Sequence, residues 1–248
     1  IDLILVATIT PDYPVVSTAA LVQNKIGATN AWGYDIIAAC TGFVYALETG
    51  AKLIESGTYK NVLVIGADTM SSIIDYTDKN TCVIFGDGGG GVLLEPSSND
   101  IGIMDSILHA DGSGSEYLNV PAGGSMHPTS MDTVNKKMHY VYQDGKTVYK
   151  FAVKNMSDVS KRILDQNELT GDDIKLFIPH QANRRIIDAA AKRCGLGPEK
   201  VLVNINRYGN TTAGTIPIAL DEAVETNRLE KNDILLLAAF GGGFTWGS

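Results

Sequence analysis

Cysteine is scarce: three in 248 residues (Cys40, Cys82 and Cys194), with four histidines and two tryptophans. Three scattered cysteines exclude a disulfide framework or a zinc knuckle, and a cytoplasmic protein with reduced thiols is the simplest reading. Basic residues are also in deficit, 20 against 28 acidic, leaving a net charge of −8. Nucleic-acid binding wants a basic footprint, so that class is set aside. No apolar run reaches the roughly 20 residues of a membrane span, and no signal peptide opens the chain. What is present is ordinary for a globular protein, 44% hydrophobic and 19% charged residues. The length suits one large domain or two intimately packed halves. The ends read as cut: there is no initiator Met, Ile1 starts straight into an apolar run, and the chain stops inside an apparent strand at Phe244–Ser248. The expectation is a truncated piece of a longer chain.

The stretch around which the rest is organised is Tyr34-Asp35-Ile36-Ile37-Ala38-Ala39-Cys40-Thr41-Gly42-Phe43. An apolar run ends in two alanines and a cysteine, and an apolar helix follows. At a helix N-terminus, free N–H groups and the helix dipole favour negative charge. This position predicts a thiol pKa lowered from about 8.5 toward neutrality, and hence a nucleophilic thiolate. The competing reading is a buried structural cysteine.

Apolar runs predict strands at Leu3–Thr8, Trp32–Ala38, Asn61–Ala67, Val83–Phe85, Val92–Leu94 and Ile101–His109. Helices are predicted from Ser17 to Ile26, from Cys40 to Ser56 and over Val148–Leu164, with Gly27 and Gly57 as stops for the first two. Gly86–Gly91 matches G-x-G-x-x-G formally. Because Val92-Leu93-Leu94 continues as a strand and opens no helix, the dinucleotide reading fails and a tight turn is preferred. Residues 110–135 read as a long loop rich in Gly, Ser and Pro. Lys150, Lys154 and Lys161 read as a solvated helix face.

The second half repeats the first under a constant shift of 170 residues. Ile174–Pro179, Ala182–Cys194, Val201–Ile205, Thr212–Thr226 and Asp233–Ala239 fall on strand, helix, strand, helix and strand of the first copy. The expectation is two βαβαβ halves, residues 1–100 and 101–248, with right-handed crossovers and mostly parallel sheets. Under that shift Cys40 and Asn210 are equivalent, each just before a helix, and a pseudo-twofold axis brings the two turns face to face. His180 ends the first strand of the second copy. Ligands bind at the C-terminal ends of such strands, so Cys40, His180 and Asn210 are placed in one cleft. Taken singly, each has a duller reading, as a structural histidine or a plain Arg-Tyr-Gly-Asn turn.

Four blocks then resemble the β-ketoacyl-acyl-carrier-protein synthase III family: Asp35–Phe43, Pro179-His180-Gln181-Ala182-Asn183, Tyr208-Gly209-Asn210-Thr211-Thr212 and Phe240–Ser248. Phe85-Gly86-Asp87-Gly88 and His109-Ala110-Asp111-Gly112 match it too. The resemblance implies a thiolase-like α/β fold in α/β/α/β/α layers, a homodimer, and a missing N-terminal part of the first half. It implies that Cys40 takes an acyl group from an acyl-CoA, with the Cys40 and Gly242 N–H groups as oxyanion hole. Decarboxylative condensation with malonyl-acyl-carrier-protein follows, His180 and Asn210 donating to the enolate oxygen, with no metal or organic cofactor.

The partners implied are coenzyme A thioesters and an acidic acyl carrier protein. For an acidic chain, local charge must decide docking, and Arg184, Arg185, Lys192 and Arg193 supply it. Arg185 matches the family's carrier-docking arginine and Asn183 a residue near the pantetheine arm. Lys79 stands where an arginine often covers the CoA adenine, and Tyr149 replaces a phenylalanine near the same ligand. Val15 stands where a phenylalanine closes the acyl pocket across the dimer, so a smaller side chain predicts longer or branched starters. Several alternatives are weaker. A papain-like protease would carry Cys-Gly-Ser-Cys-Trp and disulfides, a thiolase a second motif cysteine, and an elongating synthase a histidine in place of Asn210. A related enzyme priming a secondary-metabolite pathway and a non-catalytic carrier-binding scaffold remain alternatives.

Overall fold

The structure is a computed structural model and describes residues 1–99 and 101–248; the half boundary expected at residue 100 lies outside them. In chain order the elements are β1 (Leu3–Ala7), α1 (Thr18–Lys25), β2 (Trp32–Ile36), a 3₁₀ turn at Ala39–Thr41, α2 (Gly42–Glu55), β3 (Val62–Asp68) and β4 (Gly88–Leu94). There follow β5 (Leu108–Ala110), β6 (Leu118–Asn119), α3 (Met131–Asn135), β7 (Tyr142–Gln143), α4 (Gly145–Gln166), β8 (Leu176–Pro179) and α5 (Arg184–Arg193). The chain continues through α6 (Ile205–Tyr208), a second 3₁₀ turn at Thr212–Gly214, α7 (Thr215–Glu225), β9 (Leu235–Gly241) and β10 (Thr245–Gly247).

One sheet has the order β2-β1-β3-β4 and another β5-β10-β9-β8. Both are mixed. β1 is parallel to β2 and β3, and β8 to β9, whereas β4 and β10 return antiparallel onto β3 and β9. Strand side chains alternate between faces, and that alternation builds the layers. Ile4 and Val6 pack with Ala19 of α1, while Leu3, Leu5 and Ala7 face Phe43 and Leu47 of α2 and Ile216 of α7. Leu176 and Ile178 of β8 join the same central core. Phe177 points the other way, onto Ala152, Met156, Ile187 and Ala190 of α4 and α5. The result is helix, sheet, helix pair, sheet, helix pair.

Local signals account for the helix ends. The Ser17 hydroxyl accepts from the Ala20 N–H, and the Asp35 carboxylate takes the Thr18 and Ala19 N–H groups at 2.6 and 2.8 Å, satisfying orphan donors of α1. Gly27 and Gly57 lie at φ +68° and +76°, the left-handed geometry that follows a helix C-terminus at least cost in glycine. The Gly86–Gly91 run does enter a strand. A Cβ on Gly89 would sit 2.8 Å from the Ala67 Cβ, and one on Gly90 3.1 Å from Pro217 of α7. These glycines let β4 lie tightly between β3 and α7.

Several sequence expectations change. Val83–Phe85 forms no strand beyond one bridge from Phe85 to Asn210, and Val83 is exposed. Val201–Ile205 reduces to a bridge from Val201 to Phe177, and Ile205 begins α6. Of Ile101–His109 only Leu108 and His109 join β5. The long loop contains β6, α3 and a capping box at Ser130. The repeat register is corrected from 170 to 173. Leu3 and Leu176 begin matching strands, Gly42 and Thr215 matching helices, and Val62 and Leu235 matching strands, each pair 173 apart. Ala39 and Thr212, also 173 apart, are non-glycine residues at φ +47° and +48°. Cys40 therefore corresponds to Ala213 and not to Asn210. Three residues that read as the start of a helix at Thr212 form a 3₁₀ turn, and this displaced the sequence-based alignment.

Candidate active site

Cys40 sits in the turn between β2 and α2. The preceding Ala39 holds a left-handed backbone that costs a non-glycine residue about 1 kcal/mol, so the surroundings must enforce it. They do so from the other half. The Thr245 hydroxyl lies 2.9 Å from the Ala38 carbonyl and 3.2 Å from the Gly242 carbonyl, and the Thr41 hydroxyl donates to the Thr245 carbonyl at 3.1 Å. Gly241, at the end of β9, presses on the same turn. A Cβ there would stand 2.7 Å from the Cys40 N and 3.1 Å from the Thr41 N. The glycine needed for close backbone approach is thus Gly241. At Gly242 the nearest atom to such a Cβ is the Leu118 carbonyl oxygen at 3.2 Å. No backbone acceptor takes the Cys40 or Gly242 N–H among the described residues.

Asn210 is fixed through its main chain, its N–H donating to the Ile84 carbonyl at 2.9 Å and its carbonyl accepting from the Gly86 N–H at 3.0 Å. Its Oδ1 accepts from the Thr212 N–H at 2.9 Å, which leaves Nδ2 as the outward donor. The Asn210 amide favours the ionised form of the Cys40 sulfur. His180 follows β8, its N–H donating to the Ala238 carbonyl of β9 at 2.8 Å. The residue is 2% exposed and neither ring nitrogen has a hydrogen-bond partner among the described residues. Buried polar atoms are nearly always paired, so two bare nitrogens mark a position kept for something else.

Burial sets the charge states. It pushes the His180 imidazole down to about 3, so the ring is neutral. It pushes the Cys40 thiol up to about 12, reinforced by the Asp68 charge and opposed by its own N–H and the Asn210 amide. The expected drop toward neutrality is overturned, because loss of solvent outweighs the dipole of a helix that begins only at Gly42.

Asn183 caps α5, its Oδ1 accepting from the Arg185 N–H at 2.9 Å. The Arg185 guanidinium lies over the Tyr149 ring, 4.9 Å from its centroid. Those three residues from two stretches are brought together. Lys79 is exposed on a turn and its side chain makes no hydrogen bond or ion pair among the described residues, and Val15 is 94% exposed in the loop before α1. Arg184 is tied to Asp188 and Arg193 lies 3.7 Å from Asp158. Sequence reasoning missed Asp68, Gly241 and Thr245. The signal for Asp68 was a carboxylate ending the otherwise apolar run Val62–Ala67. No helix among the described residues is long and apolar enough to cross a membrane.

Residues 34–112 match the family model for 3-oxoacyl-[acyl-carrier-protein] synthase III, and residues 164–248 match that for its C-terminal part. A β-ketoacyl-[acyl-carrier-protein] synthase III of Chlorobium chlorochromatii is 56% identical over 249 residues, covering 100% of this chain and 76% of that protein. The crystal structure of the Thermus thermophilus synthase III is 43% identical with a TM-score of 0.90, covering 100% of this chain and 75% of that one. The priming β-ketosynthase of the R1128 polyketide biosynthetic pathway is 32% identical with a TM-score of 0.89, covering 100% and 73%. The chain spans about three quarters of the length of these relatives.

Proposed function

The chain belongs to the 3-oxoacyl-[acyl-carrier-protein] synthase III family, the acyltransferases that initiate fatty-acid synthesis by condensation, and from that premise we propose that Cys40, His180 and Asn210 carry out the chemistry. The Cys40 sulfur attacks the carbonyl of an acyl-CoA; a new thioester forms, and the coenzyme leaves as its thiol with the cysteine's proton. The N–H groups of Cys40 and Gly242 hold the tetrahedral oxyanion. Malonyl-acyl-carrier-protein then loses CO₂, and the electron pair passes into an enolate whose oxygen accepts from His180 Nε2 and Asn210 Nδ2. The carbanion attacks the acyl carbonyl, Cys40 departs as the leaving group, and β-ketoacyl-carrier-protein is released. Because burial holds His180 neutral, it donates without being a competing acid. A thiol pushed up to about 12 is a slow nucleophile at rest, and bound thioester together with the two N–H donors supplies the driving force. In this reading no metal or organic cofactor takes part.

One observation carries the reading: the Cys40 turn packs against both the turn that holds Asn210 and the strand β9 that holds His180, whose buried imidazole has both nitrogens unpaired among the described residues. Intact mass after mixing with acetyl-CoA tests it. An acyl mass gain at Cys40, discharged by malonyl-carrier-protein, is expected; no covalent gain removes the catalytic reading and favours a carrier-binding scaffold.

Arg185, stacked on Tyr149 beside Asn183, is proposed to receive the carrier protein and its pantetheine arm, with Lys79 toward the CoA adenine as a point charge. A homodimer is proposed across β2, an edge strand among the described residues that contains exposed Trp32 and precedes exposed Ile37, with exposed Val15 closing the partner's acyl pocket. A cytoplasmic setting fits three free thiols. Likeness to the R1128 priming enzyme supports a second reading, a starter unit for a secondary-metabolite pathway. Turnover on acetyl-, isobutyryl- and octanoyl-CoA separates the two, and strict acetyl preference would remove any role for Val15 in admitting larger starters.

A further inference from the structure

Asp68 ends β3 and is 5% exposed. Its Oδ1 accepts from the Thr8 hydroxyl at 3.0 Å, the Ile9 N–H at 2.7 Å and the Thr10 hydroxyl at 3.0 Å. Its Oδ2 accepts from the Thr212 hydroxyl and, at 3.2 Å, from the Ala213 N–H. One oxygen therefore holds the first half and the other the second. No lysine or arginine pairs with it among the described residues. A buried charge without a counter-ion is costly, and five donors are what keep it in place.

The repeat says what those donors are. Asp68 and Gly241 are 173 apart, as are Cys40 and Ala213. The Ala213 N–H is thus the counterpart of the Cys40 N–H, and the Asp68 carboxylate occupies the place that an oxyanion would take in the other copy. The same turn carries Asn210, through its Oδ1 bond to the Thr212 N–H.

We propose that Asp68 is a positioning residue: its carboxylate clamps the Thr212–Ala213 turn, and with it the Asn210 amide, against the Cys40 turn, and sets a negative charge behind the cysteine. This rests on Cys40 being the nucleophile. An asparagine cannot replace it, because an amide has one acceptor oxygen and would turn donors toward donors on the other side. The charge discourages the Cys40 thiolate in the absence of thioester. Other titratable groups do not stand in for it. β1, β4, β9 and β10 and the Thr212–Gly214 turn carry none, β3 carries only Asp68 itself, and β2 carries Tyr34 and Asp35, whose carboxylate accepts from the Thr18 and Ala19 N–H groups. α2 brings Tyr45, Glu48, Lys52 and Glu55, all five or more residues beyond Cys40; α7 brings Asp221, Glu222 and Glu225, and His180 is held neutral.

The test uses Asp68→Asn, Thr212→Val and Thr212→Ser. For Asp68→Asn, iodoacetamide labelling of Cys40 at pH 9, followed by mass, is expected to quicken about tenfold, while condensation with malonyl-carrier-protein falls about tenfold or more. Thr212→Val keeps the charge, so labelling stays at the wild-type rate while condensation drops about fivefold, and Thr212→Ser restores it. Wild-type labelling and turnover in Asp68→Asn overturn the proposal, as does equal quickening in Thr212→Val, which means repacking alone. If Asp68→Asn does not fold, wild-type turnover in Thr212→Val overturns the clamp. Failure of the wild type to gain an acyl group at Cys40 instead overturns the reading underneath.

Discussion

The Cys40 turn and the Ala213 turn share a backbone but not a chemistry. Both pass through a non-glycine residue near φ +48°, make one 3₁₀ turn and start a helix of the central layer, although β2 leads into one and the short helix α6 into the other. In one the N–H at the turn faces glycine and is open; in the other it is closed by a carboxylate. Three more pairs 173 apart follow suit: His180 against Ala7, Asn210 against Ile37, and Gly241 against Asp68. Duplication gave two equivalent turns, and in the proposed mechanism the partners of each are distributed so that only the Cys40 turn is reactive. Symmetry places the turns against each other; asymmetry in a few side chains makes a site.

The largest expected effects erase that asymmetry. Cys40→Ala makes the two turns alike, and acyl transfer falls by about 10⁴-fold or more with no covalent mass gain. His180→Ala and Asn210→Ala each lower condensation about 10²–10³-fold, the cost of one oxyanion donor, while acyl-Cys40 still accumulates. Accumulation separates the two steps: if neither variant forms acyl-enzyme, the donors serve acylation and the division of labour is wrong.

Next comes the glycine. Gly241→Ala places a Cβ 2.7 Å from the Cys40 N, backbone against backbone with no flexible atom to yield. Overpacking of that kind costs about 1–3 kcal/mol, and a shifted Cys40 turn loses about tenfold or more in turnover. Gly242→Ala meets nothing closer than the Leu118 carbonyl oxygen at 3.2 Å, a contact relieved by a shift of a few tenths of an ångström, and lowers thermal stability less than Gly241→Ala. Thermal melts of the two variants side by side, with turnover, check the contrast. A Gly242→Ala melt lower than that of Gly241→Ala would reverse the assignment of the close-approach residue.

What the sequence disclosed follows from this geometry. Strand ends and the Cys, His and Asn blocks were legible, because apolar runs bounded by small or polar residues mark the C-terminal ends of buried strands. The true register was not. A slip of three residues nearly preserves the face of a helix, so shifts of 170 and 173 give almost the same helix pattern; the observed starts of the strands and helices and the positive φ at Ala39 and Thr212 tell them apart. Val83–Phe85 and Val201–Ile205 are apolar enough for strands, yet strand formation needs a neighbour on the ladder, which no local pattern reports. The Cys40 thiol went wrong for a similar reason. A helix terminus is visible in sequence, but the burial that outweighs it depends on Gly241 and Thr245, two hundred residues away.

A smaller effect distinguishes the outer helices. α5 carries Arg184, Arg185, Lys192 and Arg193, whereas its counterpart α1 has only Lys25. Arg185→Glu is expected to raise KM for the malonyl-carrier substrate about tenfold and to leave self-acylation by acyl-CoA within about twofold. The defect should shrink as salt rises, because screening at about 8–10 Å weakens the wild-type attraction. Equal loss in both half-reactions would refute a docking role.

The last contrast is between His180 and Ala7, and it appears in stability. Burial pushes His180 down to about 3 in the folded protein, from an ordinary value of 6.5. Between those values the unfolded chain binds a proton that the folded chain refuses, so stability rises with pH across that window and falls as acid is added. The slope reaches about 1.4 kcal/mol per pH unit for one such group. His180→Gln removes the titration and keeps a polar side chain of similar size, so urea unfolding midpoints measured from pH 6.5 down to 4 should decline less steeply than in the wild type. The Ala7 position offers no such proton site, and an Ala7→Ser control should keep the wild-type slope. An unchanged slope in His180→Gln would mean that the ring takes up its proton in the folded state, and a charged imidazole could then no longer be the neutral donor to the enolate.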